Sequence, residues 1–327
     1  MLSDERTKTV SPWAILEDEM RGATIVAVCV SAQKGTAKVP VPEVEVLTDW
    51  GFKDDAHAGH WHRQVSLLSK DRIDAFNACG AGVAYGAFGE NIVLDGVDLV
   101  TFPLGTVFVS GGVVLCLTQI GKQCHSGCDI QKRMGQCIMP TNGVFTKVFH
   151  GGVLQPGDAV SVYPEPRVSI ICLSDKGYQG EREDVSSTVI KKMVADAGFS
   201  IVTMDLFPDG RELLEKRLME LCDGCVSDLI LTTGGTGLTE RDLTPEATMA
   251  VAEKTVPGIA EAMRFSGLSH TPRAMLSRAV AVTRAHTLIV NLPGSPKAVE
   301  ENLGCILPAM EHAVMMLRGG GAECART

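Results

Sequence analysis

Residues 231–248, LTTGGTGLTERDLTPEAT, set three glycines and four threonines between an apolar run and a helix start. Glycine lets a backbone approach a ligand closely, and free N–H groups at a helix start favour an anion. Thr244 suits the N-cap and Pro245 the first helical position. The stretch lacks the Gly-Lys-Ser/Thr of a Walker A loop and the GxGxxG of a dinucleotide site, so it matches neither common phosphate motif. Thr233, Gly234, Gly235, Thr236 and Gly237 are the candidates to cradle a phosphate group. Asp242 stands at the lip of the same loop. A carboxylate beside phosphates repels them unless a cation lies between, so Asp242 is read as a Mg²⁺ ligand. Glu240 reads as a solvated loop acid.

A second stretch repeats the device. LIVNLPGSPKAVEENL runs from a strand through Asn291, Pro293 and Gly294 to Ser295 as N-cap and Pro296 as first helical residue, with Lys297 in the first turn. Two such turns at the ends of parallel strands would hold two phosphate-bearing groups side by side. A third strand end, LSDKGYQGERED, offers Ser174, Asp175 and Lys176, and a fourth, LFPDGRE, places Asp209 before a helix. Asp209 reads as a second Mg²⁺ ligand or as a helix cap.

The elements that must carry these residues alternate. After YPEPR, residues 163–167, the strands VSIICLS, SIVTMDLF, SDLILTT and HTLIVNL are separated by helical stretches. These are Val185–Ala197, GRELLEKRLMELC, TPEATMAVAEKTV and a last helix through VEENLGCILPAMEHAVMML. Buried apolar strands alternating with helices predict an α/β fold with a mainly parallel sheet and ligands at the strands' C-terminal ends. Residues 22–163 have a different rhythm. Short β-rich runs (TIVAVCVSA, RQVSLLS, NIVLDG, TVFVSGGVVLCLTQIG, AVSVYP) are punctuated by Gly, Pro and Asp, with one helical piece near KDRIDAFNACG. They predict a mostly antiparallel barrel or a compact folded sheet.

This first half carries its own chemistry. TQIGKQCHSGCDIQKRMGQC brings Cys124, His125, Cys128 and Cys137 close together in sequence. Three thiolates and an imidazole can hold zinc, although paired CxxC knuckles are lacking. Cys124 alone could be a reactive thiol, activated by Lys122 and His125. The four could also be small half-buried residues. His57, His60 and His62 sit irregularly in a Gly-containing turn and favour structural polar roles. Cys222 and Cys225 form an isolated CxxC that reads as structural.

The 327 residues are 45% hydrophobic, enough for two domains with their own cores. A net charge of −9 gives no basic footprint for nucleic acid or anionic membrane, and 5% aromatics gives no stacking platform. The charged first segment lacks a signal-peptide core, and no run spans a bilayer. Eleven cysteines without a secretory signal read as reduced thiols, metal ligands or buried small residues, which predicts a cytoplasmic protein.

SDKGYQGERED, LFPD, TTGGTGLTERDLTPEAT, VPGIAEAMR and LIVNLPGSPKAV together resemble the molybdopterin adenylyltransferase family, of the MogA and gephyrin G-domain type, over residues 167–320. The resemblance implies a molybdopterin-binding α/β fold, usually trimeric, that transfers AMP from Mg-ATP to the terminal phosphate of molybdopterin. The family's acids fall on Asp209 and Asp242, and its nucleotide and pterin contacts on Gly234–Gly237 and Asn291–Ser295. Two positions depart from it: Leu238 stands where many members have Pro, and Gly210 where an acid is common. DDAHAGHWHRQVSLLS, GAFGENIVLDGVDL, PLGTVFVSGGVVLCLTQIGKQCH, MPTNGVFTKVFHGG and LQPGDAVSV resemble the MOSC domain, over residues 22–163. That resemblance implies a β-barrel that binds molybdenum cofactor or transfers sulfur, with the characteristic cysteine at Cys124. It also implies that His57, Arg63, Glu90 and Asn91 line a cofactor cleft.

Both halves thus point to one cofactor. The expectation is a bifunctional protein: adenylylation by the second half, and cofactor binding, sulfuration or hand-over by the first. The alternatives are a non-catalytic cofactor carrier, or a sulfurtransferase acting through Cys124 with sulfur supplied by another protein. A molybdenum-insertion protein or a molybdoenzyme is the expected downstream partner.

Overall fold

The computed structural model describes residues 22–122 and 129–319. The chain divides into two compact units, one ending at Pro164 and the other beginning at Glu165.

In the first unit β1 (Gly22–Val30), β2 (Val39–Val41), β3 (Val44–Leu47), β4 (Gly51–Phe52) and β5 (Val65–Ser69) precede helix α1 (Lys70–Ala78). Then come β6 (Ile92–Asp95), β7 (Val107–Ser110) and β8 (Val113–Ile120), followed by short helices α2 (Asp129–Met134) and α3 (Met139–Asn142). β9 (Val144–His150), β10 (Gly152–Leu154) and β11 (Ala159–Tyr163) complete the unit. Eight strands form one sheet in the order β11-β7-β8-β9-β5-β6-β1-β2. Because β1 also pairs with β11, the sheet closes on itself and leaves β2 outside the closure. Of the two arrangements expected, the chain adopts the barrel. Its pairings are antiparallel except β5 with β6. Ile25, Leu67, Leu94, Phe108 and Leu115 fill one core, while Cys29, Leu68 and Val93 face a second core with Ile73 and Phe76 of α1. Burial on both faces is why VSLLS reads as a continuous apolar run rather than an alternation.

The second unit runs β12 (Arg167–Leu173), α4 (Asp175–Tyr178), α5 (Val185–Asp196), β13 (Ser200–Phe207), α6 (Arg211–Asp223) and β14 (Leu229–Thr233). It continues with α7 (Thr244–Ala250), β15 (Lys254–Thr255), α8 (Pro257–Leu268), β16 (Ala281–Arg284), β17 (Thr287–Leu292) and α9 (Pro296–Leu317). The six strands are ordered β13-β12-β14-β17-β16-β15. β13, β12, β14 and β17 pair in parallel, but β16 and β15 are antiparallel, so the sheet is mixed.

One expectation fails here for a physical reason. The helix expected over TPEATMAVAEKTV ends at Ala250, and β15, α8 and β16 stand between it and β17. Past Ala250 the backbone finds partners in β16: Glu253 N–H donates to Thr283 O at 2.9 Å and Val256 N–H to Ala281 O at 2.8 Å. Pro257 then opens α8, where its missing N–H costs nothing. Strand pairing has overridden local helix propensity.

A buried charge cluster pins the start of this unit. Arg167 Nε and Nη2 donate to the Asp228 carboxylate at 3.0 and 2.9 Å, and Arg318 Nη2 donates to it at 2.6 Å. Arg167 also reaches Cys225 O at 2.8 Å. Cys222 and Cys225 are buried, and burial pushes their thiols up to about 12 and about 11, which suits the structural role expected of this CxxC. Among the described residues no helix is long and apolar enough to cross a membrane.

Candidate functional site

The C-terminal ends of β13, β12, β14 and β17 lie side by side, and the loops that leave them surround a cleft of about 330 Å³. From the sequence candidates, Ser174, Asp209, Thr233, Gly234, Gly235 and Asp242 line it. Gly294 and Ser295 of the second turn line it too. Ser295 is the N-cap of α9, accepting from Ala298 N–H at 3.2 Å.

Glycine is required where β14 leaves the sheet. Gly234 has φ +98°, and a Cβ there would lie 2.3 Å from Leu173 O. Gly235 has φ +64°, and a Cβ there would lie 2.4 Å from Thr244 Oγ1. Thr244 is the first helical residue rather than the N-cap, which is Leu243. Its hydroxyl donates to Gly234 O at 2.9 Å and its N–H to Gly235 O at 3.2 Å. The threonine therefore anchors the helix to the glycine turn instead of capping it. The two turns are joined as well, since Thr233 Oγ1 donates to Pro293 O at 2.8 Å.

Not every candidate reaches the cleft. Asn291 is fully buried, its amide donating to Thr232 Oγ1 at 3.0 Å and Thr248 Oγ1 at 2.8 Å. It braces β17 from behind, so a ligand contact through its side chain is not what the fold provides. Thr236 is buried, with its carbonyl accepting from Arg278 N–H at 3.1 Å, and Pro293 contributes the carbonyl just described. Gly237 leaves room for the Asp242 carboxylate, whose Oδ2 would lie 2.8 Å from a Cβ there. Lys176 and Lys297 are exposed, and Lys297 approaches Glu301 at 3.9 Å. Asp175 meets the site through Asp209, whose N–H donates to Asp175 Oδ1 at 3.0 Å. Asp209 is not a helix cap, since Gly210 occupies that position at α6.

The two acids differ electrostatically. Burial, reinforced by the charges of Asp175 and Asp242, pushes the Asp209 carboxyl above its ordinary value. Burial also acts to raise Asp242, but the hydroxyl and N–H of Thr239, the N–H of Gly237 and the charge of Arg278 outweigh it and hold that carboxyl down. Thr239 donates to Asp242 Oδ2 through N–H at 2.8 Å and through its hydroxyl at 2.6 Å. Asp242 is thus held toward its carboxylate form, and Asp209 is pushed away from it.

Several contributors carried no sequence signal strong enough to single them out. Arg182, Asp184 and Ser186 line the cleft. Asp184 caps α5 by accepting from Ser187 N–H at 2.9 Å, and Ser186 Oγ donates to Gly294 O at 2.9 Å. An Asp three residues before Ser187, at the head of an apolar period, is a capping pattern that could have flagged this edge. Cys172 lies at the cleft floor, where burial and the neighbouring Asp184 charge push its thiol up to about 12.

In the barrel unit, Glu90 and Asn91 are buried and committed inward. Glu90 accepts from Gly86 N–H at 2.6 Å and Phe88 N–H at 3.0 Å, while Asn91 Nδ2 donates to Cys29 O at 3.1 Å and Asp55 Oδ2 at 3.2 Å. Asn91 thereby braces a buried Lys38–Asp55 pair, 2.5 Å apart, while Glu90 holds the 86–88 turn. His57 and Arg63 are placed differently. Arg63 lies 4.7 Å over the Trp61 ring and 5.7 Å from the Phe145 ring centre, and Lys122 lies 5.8 Å from that same ring. Arg63 Nε is buried without a hydrogen-bond partner among the described residues, while His57 Nδ1 lies 3.5 Å from Asp55 Oδ1. His60 and His62 are exposed and bonded to Asp49 and Gln119, at 3.2 and 2.9 Å. Cys124, His125 and Cys128 lie outside the described residues. Among those described, no group of three or more His, Cys, Asp or Glu side chains could hold a metal.

Residues 169–312 match a family described as a probable molybdopterin binding domain, and residues 54–161 match the MOSC domain. A molybdopterin adenylyltransferase of Helicobacter pylori (strain J99) is 38% identical over 154 residues, 46% of this chain and 88% of the relative. The molybdopterin adenylyltransferase of Escherichia coli (strain K12) is 39% identical over 152 residues, 46% of this chain and 77% of the relative. A solved structure of the molybdopterin biosynthesis enzyme MoaB from Thermus thermophilus is 47% identical, covers 47% of this chain and 97% of its own, and superposes with a TM-score of 0.45.

Proposed function

The chain belongs to the molybdopterin adenylyltransferase family, and we propose on that footing that its second unit adenylylates molybdopterin with ATP. What carries the reading is one observation: four parallel strands end at a single cleft that gathers the glycine turn, Asp209 and Asp242.

The chemistry needs alignment more than a base. A terminal phosphate has a second pKa of about 6 and is largely ionised at neutral pH. One of its oxygens attacks the α-phosphorus of ATP, the α–β anhydride bond breaks, and pyrophosphate leaves with the electron pair. The new bond is a phosphoanhydride between pterin phosphate and AMP. The turns at Gly234–Gly235 and Gly294–Ser295 would hold the two phosphate chains in line through backbone N–H groups. Thr233 keeps those turns in register through its bond to Pro293.

Mg²⁺ fits this residue set. Asp209 and Asp242 both line the cleft, and Mg²⁺ typically takes one or two carboxylates alongside phosphates and waters. Asp242 and Asp209 would hold it. Once bound, it neutralises charge on the triphosphate as pyrophosphate departs.

For the barrel unit, the cationic pair Arg63 and Lys122 beside Phe145 supports binding of an anionic pterin or the finished cofactor. Transfer of sulfur through Cys124 is tested by mass spectrometry for a persulfide on that residue.

The deciding experiment incubates the full chain with Mg-ATP and molybdopterin and follows pyrophosphate and adenylylated pterin. Product that Asp242→Ala abolishes supports the transferase. Tight pterin binding without pyrophosphate reduces the second unit to a carrier.

A further inference from the structure

Arg278 arrives at the site from far along the chain, just ahead of β16. Its side chain spans the loop that bears Asp242. Nε donates to Gly237 O at 2.6 Å, Nη2 donates to Asp242 O, and Nη1 pairs with the Glu246 carboxylate in the first turn of α7. Its backbone N–H donates to Thr236 O at 3.1 Å. One residue therefore grips the end of the glycine turn, the Asp242 backbone and the head of the following helix. Arg264 of α8 in turn holds the Arg278 segment, donating to Ser277 O at 3.3 Å and Ala279 O at 3.0 Å.

Besides Arg278, the exposed side chain of Arg241 ties the loop to Asp175 Oδ2 at 3.2 Å, and contacts such as Asp242 N–H donating to Thr239 O at 3.0 Å are short-range. Residues Leu238–Arg241 between them are exposed. Local turns of this kind set the loop's shape but not its position against the cleft. A planar guanidinium can reach three acceptors in fixed directions, which the single ammonium of lysine cannot. We propose that Arg278 is a positioning residue for the adenylyl transfer, clamping residues 237–242 so that the Asp242 carboxylate faces the metal–nucleotide. Arg278 itself does not line the cleft. The inference rests on the transferase reading for its role in turnover, but its effect on metal binding can be read separately.

The test uses the full chain, with Mn²⁺ as the spectroscopic stand-in for Mg²⁺ and a non-transferable ATP analogue. Electron paramagnetic resonance titration reports nucleotide-dependent Mn²⁺ affinity, while turnover is measured in parallel. Arg278→Ala is expected to weaken Mn²⁺ affinity about tenfold and to lower kcat about a hundredfold, the scale of a small misplacement of a reacting group. Its KM for ATP should move far less. Free guanidinium at millimolar concentration should restore part of both losses, whereas methylammonium should not, and Arg278→Lys should behave like Arg278→Ala. Wild-type Mn²⁺ affinity in Arg278→Ala overturns the assignment. So does a loss that guanidinium fails to reverse, because that is the mark of general destabilisation. If the wild-type chain binds Mn²⁺ and nucleotide but forms no product, the transferase reading falls and the titration still decides the clamp.

Discussion

Asp175 and Asp209 are bridged through each other's backbone. Asp209 N–H donates to Asp175 Oδ1 at 3.0 Å, and Asp175 N–H points to Asp209 Oδ2 at 3.5 Å. The bridge joins the ends of β12 and β13, so the strand pairing itself sets where the Asp209 carboxylate stands. It also places two like charges together, with Arg241 Nη1 offering partial relief 3.2 Å from Asp175.

That arrangement predicts a titration. Burial first, then Asp175 and Asp242, lift Asp209 above its usual range. In metal-free protein, carboxyl NMR should find Asp209 titrating above an ordinary aspartate, about 3.9. Asp175→Asn removes one negative neighbour and should move the midpoint down. A midpoint that does not move would mean that burial and Asp242 set it without Asp175.

The glycine turn predicts a contrast between two alanine substitutions. Gly234→Ala must place a Cβ 2.3 Å from Leu173 O at φ +98°, so the loop has to shift. Strain of this kind costs about 1–3 kcal/mol, and turnover should be lost with it. Gly210 has nothing within 4 Å of an added Cβ and an extended φ of 173°, so Gly210→Ala should leave melting temperature and turnover nearly unchanged. Thermal melts of the two variants, run beside the turnover assay, separate these outcomes.

The buried Asp228 predicts acid sensitivity of the second unit. Burial acts to raise its carboxyl, but the charges of Arg167 and Arg318 outweigh burial and hold it well below the usual carboxylate range. A depressed native pKa contributes stability that is complete above the unfolded value, about 3.9, and is lost as pH falls toward the native one. Chemical denaturation between pH 7 and pH 3 should therefore show a decline below about pH 4. Asp228→Asn leaves two buried guanidinium groups facing a neutral side chain and should destabilise by about 3–5 kcal/mol at neutral pH. The variant's acid decline should be correspondingly flatter.

Thiol labelling checks the reading of the cysteines. Burial pushes Cys29, Cys172 and Cys222 up to about 12, and Cys79 and Cys305 are exposed. Under native conditions at pH 8, iodoacetamide followed by peptide mass spectrometry should label Cys79 and Cys305 well before those three. Early labelling of Cys222 would reopen a redox role for the CxxC.

What the sequence disclosed follows a physical line. Apolar runs such as LILTT, punctuated by Gly and Pro, announce buried strands and the turns that end them, so the second unit's parallel strands and most of the cleft's rim were readable. Side-chain direction was not. Asn291, Glu90 and Asn91 belong to suggestive motifs, yet each turns inward to satisfy backbone or neighbouring polar groups, a choice that only packing decides. Thr244 looked like a cap because caps are local, while its actual partners are carbonyls of the preceding turn. Arg278 was invisible because its acceptors lie 32 to 41 positions away in the chain.

Arg182 carries the last prediction. It lines the cleft together with Glu183, Asp184, Asp209 and Asp242, and is the cationic side chain among the described residues that do so. A site so acidic cannot attract two phosphate-bearing substrates by charge alone. Backbone N–H groups and the metal must do most of the holding, and Arg182 is placed to add a charge-assisted bond. Such a bond contributes about 1.5–3 kcal/mol, so Arg182→Gln should raise KM for ATP or for the pterin by about tenfold or more. Because the residue is exposed, rising ionic strength should weaken wild-type binding and narrow the gap between the two proteins. Steady-state kinetics at two salt concentrations measure both effects. Unchanged KM values for both substrates would mean that the arginine is merely solvated, and that the turns and the metal hold the phosphates unaided.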